Sequence, residues 1–206
     1  MQTTFPAIVQ REIADLTAQF GAPSVQSIVV GTRAFWDRQM KNRASEVCMV
    51  IRRMNGHLLV STKTFYPDNV ARLMTGGVEP GERVLDALLR EVYEETGLQV
   101  AVQRLLALVA YRPVDERPEA DRAPRFFTFA FLLDETGGTL GATDPNERIA
   151  AYREIAPEEL PRVADHLDQL PATYDVPLAD NWRAWGEFRA VIHRVVWDAW
   201  RAGQFA

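Results

Sequence analysis

The chain has 206 residues, 47% of them hydrophobic, and a formal net charge of −5. That length and composition suit one medium domain with terminal additions and a sizeable core. The acidic balance argues against a nucleic-acid polymer or an anionic membrane surface as partner, and Cys48, the only cysteine, excludes an internal disulfide.

In residues 6–20, Val9, Ile13, Leu16 and Phe20 recur at helical spacing. Pro6 suits the first turn and Gly21 the C-terminal cap, so a helix is predicted. Arg11, Glu12 and Asp15 interrupt any signal-peptide core there, and no apolar run reaches the roughly 20 residues of a membrane helix. A cytoplasmic protein is expected. Residues 25–30 read as a strand, while residues 32–45, with Phe35 and Trp36, have no clear period. Residues 47–53 and 57–62 flank Asn55-Gly56, a hairpin signal, and Cys48 sits among apolar neighbours as a small buried residue. Residues 63–69 read as a polar loop and 70–74 as a short strand.

A helix is expected over residues 83–96. Residues 99–111 read as a strand that pairs with the β-rich run 126–133, across a charged loop at 112–125 that holds three prolines. A second loop follows at Gly137, Gly138 and Gly141, then a strand over 148–155 and a helix over 157–170. Residues 180–201 form an amphipathic helix with Trp182, Trp185, Phe188, Ile192, Val195, Val196 and Trp200 along one side, Asp180 as N-cap and Gly203 beyond its end. The order predicts a mixed α/β domain at 46–170, an N-terminal helix–strand extension at 1–45 and a C-terminal helical segment at 171–206. An apolar terminal helix needs a surface to cover it, either its own domain or a partner subunit, and a homodimer is expected.

The stretch from Gly76 to Leu98, GGVEPGERVLDALLREVYEETGL, carries the chemistry. At 100° per residue, Glu91, Glu94 and Glu95 fall within an arc of about 100°, with Leu85, Leu88, Leu89 and Val92 on a neighbouring arc. Like charges at this spacing repel, and the arginines of the stretch lie beyond the acids from the leucines. A divalent cation offsets the repulsion better. An all-oxygen set without His or Cys suits a hard ion, Mg²⁺ or Mn²⁺. Gly76, Gly77 and Gly81 allow tight backbone conformations whose amides suit a phosphate, and Gly97 suits the helix end. Arg52 and Arg53 are candidates for one further phosphate contact.

The spacing of Gly76, Glu82, Arg90-Glu91, Val92, Glu94-Glu95, Gly97 and Leu98 matches the signature of the Nudix hydrolase family at every defined position. The chain resembles that family over about residues 46–170, which implies an α/β/α sandwich. The resemblance also implies metal-dependent hydrolysis of a nucleoside diphosphate linked to another group. It makes Glu91, Glu94 and Glu95 metal ligands, sets Arg90 to orient the acids by pairing with a carboxylate such as Glu82, and gives Gly76 and Gly77 the shaping of the loop before the helix. A general base from a loop is expected. Glu147 is the first candidate, and Glu116 and Glu119 are the others.

Pro113 lies fifteen residues beyond Leu98, and the terminal extensions likewise resemble the ADP-ribose pyrophosphatase branch, often dimeric. ADP-ribose or a nucleotide sugar is the expected substrate. NADH, dinucleoside polyphosphates and nucleoside triphosphates are the alternatives, as is a nucleotide-sensing module that does not cleave. Isomerase chemistry on an isoprenyl diphosphate would want a catalytic cysteine, and Cys48 lies inside a predicted strand. Trp36, Phe65, Tyr66 and Tyr111 are the candidates for stacking a base.

Overall fold

The computed structural model describes residues 7–40, 43–115, 124–176, 178 and 180–205; Pro6, Glu116 and Glu119 lie outside them. In chain order the elements are α1 (Ala7–Phe20), β1 (Ser24–Val29), α2 (Arg33–Met40), β2 (Ser45–Arg52), β3 (Leu58–Lys63) and β4 (Met74–Gly77). Then follow α3 (Val84–Thr96), β5 (Leu98–Arg112), β6 (Phe126–Gly138), β7 (Ile149–Ile155) and α4 (Leu160–Asp168). Two-residue strands β8 (Tyr174–Asp175) and β9 (Asp180–Asn181) precede the last helix, α5 (Trp182–Arg201). The main sheet is mixed and runs β1-β5-β6-β2-β3-β7, with β4 also on β2. The pairs β1/β5 and β2/β6 are parallel and the rest antiparallel.

Both faces of the sheet are covered, which explains why its strands read as continuous apolar runs. In β2, Val47, Met49 and Ile51 pack toward α1 and α3, while Cys48 and Val50 pack toward α2, α4 and α5. The Asn55-Gly56 hairpin joins β2 to β3, with Gly56 at φ +87° and the His57 amide donating to the Asn55 side chain. The stretch without clear period contains α2. Its Phe35 and Trp36 are buried in an aromatic cluster with Tyr111, Phe126 and Phe188.

Three expectations shift. Gly137 and Gly138, read as loop, are the last residues of β6 and pair with Gln99 and Leu98. The short strand at 70–74 is instead Met74–Gly77, since Arg72 meets Ser61 only through an isolated bridge. The Arg72 side chain is buried and donates to the Tyr66 hydroxyl, the Leu73 carbonyl and the Thr75 hydroxyl. Gly76 and Gly77 are therefore the end of a strand, not a loop. The N-cap of α5 is Asn181, whose side chain accepts from the Ala184 amide; Asp180 is instead buried in an ion pair with Arg38.

The apolar side of α5 is covered within the same chain. Trp182, Trp185, Phe188, Ile192, Val195 and Val196 are buried with residues of α2, α4 and the sheet. The α4–α5 approach is close: a Cβ on Gly186 would lie 2.1 Å from the Leu167 carbonyl oxygen. The burial of this side removes the premise on which a partner subunit was expected. Among the described residues, no helix is long and apolar enough to cross a membrane.

Candidate active site

Helix α3 is fixed at both ends. Arg83 at its N-cap has no side-chain cap, and Glu12 of α1 supplies one by accepting from the Val84 amide at 2.5 Å. Gly97 ends the helix in the left-handed region at φ +64°, and its amide bonds the Tyr93 carbonyl. The covered face runs Val84, Ala87, Leu88, Glu91, Val92 and Glu95. Leu89 is exposed and Leu85 half-buried, so the inward face is rotated from the leucines toward the acids.

Gly76 makes room for that rotation. A Cβ there would lie 1.9 Å from Glu91 Cδ, so only a bare backbone admits the Glu91 carboxylate against β4. Arg90 then ties the cluster together. It grips Glu82 with two bonds of 2.8 and 2.9 Å, and donates to Glu91 Oε1 and Glu94 Oε2 at 2.9 Å each and to the Gly77 carbonyl at 3.0 Å.

The fourth carboxylate arrives from the loop after β6. Three hydrogen bonds of 2.9 Å staple that loop to the end of α3: the Gly141 amide to the Thr96 carbonyl, the Thr143 amide to that of Glu94, and the Thr143 hydroxyl to that of Tyr93. The first two satisfy carbonyls that a helix end leaves open, and the third adds a second donor to the Tyr93 carbonyl. A short 3₁₀ turn, Pro145–Glu147, capped by Asp144, then delivers Glu147. Glu91, Glu94 and Glu147 each offer a carboxylate oxygen within 4.8 Å of the others.

Glu95 stands beside this trio. It is fully buried, its Oε1 accepts from Lys63 Nζ at 3.0 Å, and among the described residues its Oε2 has no hydrogen-bond partner. Lys63 Nζ also donates to Glu147 Oε2 at 2.8 Å. Burial pushes the Glu95 carboxyl up to about 7 and raises that of Glu91 as well. Burial would also raise Glu147, but the Lys63 ammonium outweighs it and holds that carboxyl below the usual range. Arg90 and Lys63 bond the acids directly, and the buried Arg72 guanidinium acts on Glu95 at longer range. The converging oxygens, the orphaned Glu95 Oε2 and, among the described residues, an all-carboxylate donor set fit a hard divalent cation.

The structure does not bring Arg52 and Arg53 to the acids. Arg52 lies five residues along β2 from Val47, which pairs with Gly76, or roughly 17 Å at strand rise. Arg52 is held by Asp134 and the Phe205 carbonyl, and Arg53 by Glu135. Among the stacking candidates, Trp36 and Tyr111 are buried in the aromatic cluster, and Tyr66 packs on Trp182 and Trp185. Phe65 lies 4.5 Å beneath the Arg148 guanidinium, next to Glu147. Sequence reasoning missed Lys63. It belongs to a different element from the acids, and its one visible signal is that only Lys41 and Lys63 among the chain's cations are lysine.

A cavity of about 470 Å³ reaches Glu82, with the charged residues Arg11, Glu12, Asp15 and Arg83 also on its walls. Leu16 of α1, Val84, Phe127 and Phe129 line it, and Glu82 stands at its border.

A family model described as the NUDIX domain matches residues 42–175. The chain belongs to the Nudix family. It is 33% identical to an ADP-ribose pyrophosphatase of Methanocaldococcus jannaschii over 57% of this chain and 64% of that protein. It is 33% identical to human diphosphoinositol polyphosphate phosphohydrolase 3-alpha over 51% of this chain and 57% of that protein. It is also 28% identical to the nucleoside triphosphatase NudI of Escherichia coli over 55% of this chain and 82% of that protein. The chain thus spans about three-fifths of the length of the first two relatives. In this chain the Nudix motif is the end of β4, the turn at Gly81 and α3.

Proposed function

We propose that the chain is a Mg²⁺-dependent diphosphohydrolase that cleaves a nucleoside diphosphate linked to a second group, with ADP-ribose or a nucleotide sugar as substrate. The observation that carries this reading is the convergence of Glu91, Glu94 and Glu147 on one point beside the orphaned oxygen of Glu95. When bound there, the divalent cation neutralises diphosphate charge and makes water easier to deprotonate.

The chain's own residues do the rest. Arg90 fixes Glu91 and Glu94 in one geometry while Glu82 fixes Arg90. Glu147 is the general base. It is anionic at neutral pH, and its carboxylate takes the proton of the attacking water. The cavity beside Glu82 has the size and apolar lining to take part of the substrate beyond the diphosphate.

The ADP-ribose pyrophosphatase relative supports the substrate class, and the other two relatives define what the test must include. The test is a hydrolysis screen with Mg²⁺ and Mn²⁺ over ADP-ribose, nucleotide sugars, NADH, dinucleoside polyphosphates, diphosphoinositol polyphosphates and nucleoside triphosphates. AMP released from ADP-ribose, with triphosphates untouched, is the expected result. Silence across the panel would favour a nucleotide-sensing module. Glu94→Gln and Glu95→Gln are each expected to cut turnover on the order of a hundredfold while the far-ultraviolet circular dichroism stays unchanged. Near-normal turnover in either at saturating Mg²⁺ counts against the ligand set.

The working unit is a homodimer in this reading. Its support is β1, the edge of the main sheet among the described residues, where Val25 and Val29 are exposed. Sedimentation at micromolar concentration tests it, and a monomeric mass counts against it.

A further inference from the structure

We propose that Lys63 is a resident counter-cation of the acid cluster: in the metal-free chain its ammonium bridges Glu95 and Glu147, and a divalent cation displaces it to reach those two carboxylates. The inference rests on the reading of the cluster as a divalent-cation site, and it adds a competitor inside the protein.

The geometry separates Lys63 from Arg90. Arg90 is anchored outside the acid trio by its two hydrogen bonds to Glu82 and by the Gly77 carbonyl, so it stays when the acids change partner. Among the described residues, the Lys63 ammonium has two hydrogen bonds, and both go to acids of the cluster, Glu95 and Glu147. Its side chain is 14% exposed, so the contact is shielded from bulk water and salt.

The backbone aims it there. The register of β3 against β7 slips between Thr62 and Lys63, and such a bulge re-directs the side chain that follows. Lysine also suits a contact that must be released. It is a compact charge on a flexible four-carbon stem, where arginine would lock both carboxylates in a planar fork. The Glu95 Oε2 oxygen is the sign that the bridge is incomplete. Among the described residues it is buried and has no donor, and the Lys63 ammonium bonds only the other oxygen of Glu95.

The first test titrates Mn²⁺ alone into the full chain and follows the free ion by electron paramagnetic resonance. Lys63→Met and Lys63→Gln are expected to bind Mn²⁺ about tenfold or more tightly than the parent, because the opposing charge is gone. Lys63→Arg restores that charge and is expected to stay near or above the parent Kd. Unchanged or weaker binding in the Met and Gln variants overturns the inference. If the folded parent binds no Mn²⁺, the cation-site reading fails first and the inference falls with it.

The second test uses the unaltered chain. Lys41 and Lys63 are its only lysines, so the ratio of acetylation at the two, read by peptide mass spectrometry, reports on Lys63 without a mutation. The Lys63-to-Lys41 ratio is expected to rise several-fold at saturating Mn²⁺ as the ammonium leaves its carboxylates. An unchanged ratio overturns the displacement.

Discussion

Gly76 shows how a single residue sets the site. The motif spacing marks the position as glycine, and the natural reading is backbone freedom in a loop. The reason is instead the absence of a Cβ: any side chain would occupy the place of the Glu91 carboxylate, 1.9 Å from its Cδ. A one-dimensional pattern carries the requirement without its cause, because the cause lies fifteen residues away on another element. For Gly76→Ala, overpacking of this kind costs about 1–3 kcal/mol, or roughly 2–4 °C in Tm for each kcal/mol in a chain of this size. Turnover is expected to fall further than stability predicts, since Glu91 leaves Arg90 and the acid trio. Activity measured well below Tm separates the two effects, and full turnover in a folded Gly76→Ala would remove Glu91 from the site.

Helix α3 was legible because its chemistry is local: a proline-glycine turn before it, a helical run, and a glycine after it. Which side faces inward was not legible, since a helical wheel ranks faces by hydropathy and cannot know that Gly76 admits an acid. The end of the helix does more than stop it. A Cβ on Gly97 would lie 2.8 Å from the carbonyl oxygens of both Thr139 and Gly141, in the loop that delivers Glu147, and Gly97 itself sits at φ +64°. Gly97→Ala is therefore expected to destabilise the fold by about 1–3 kcal/mol and to lower turnover as Glu147 shifts. Asn181→Ala is the matched control. It removes the side-chain cap of α5 at a cost of about 1 kcal/mol without altering α3 or the loop that carries Glu147, and turnover is expected to hold. Equal loss of activity in the two variants would show that Gly97 acts through stability alone.

At the scale of the whole molecule, the sandwich was legible from the order of strands and helices, but the contacts between distant segments were not. Lys63 meeting Glu95, or α5 filling the face above β5 and β6, depends on how the sheet brings together residues far apart in the chain. His193 is one such tie. Buried on α5, its Nε2 accepts from the Leu73 amide, so Nδ1 carries the proton toward the Arg189 carbonyl, and the ring is held neutral. Burial lowers its pKa from 6.5 to about 3. Between those values the unfolded chain binds a proton that the folded chain does not, so His193 makes stability fall as pH falls, by about 1.4 kcal/mol per pH unit. Glu95 has the opposite sign. Burial raises it from 4.5 to about 7, so between those values the folded chain holds the extra proton and stability rises as pH falls. From pH 6.5 to 4.5 the two slopes oppose each other, and in metal-free buffer their joint contribution is nearly flat. Each is unmasked by removing the other. Relative to the parent, His193→Leu is expected to gain stability on passing from pH 6.5 to 4.5, and Glu95→Gln to lose it, by about 2 kcal/mol or more in each case. Urea unfolding at the two pH values in EDTA measures both. Parallel pH dependence in all three proteins would mean that neither group is held in the protonation state its burial imposes.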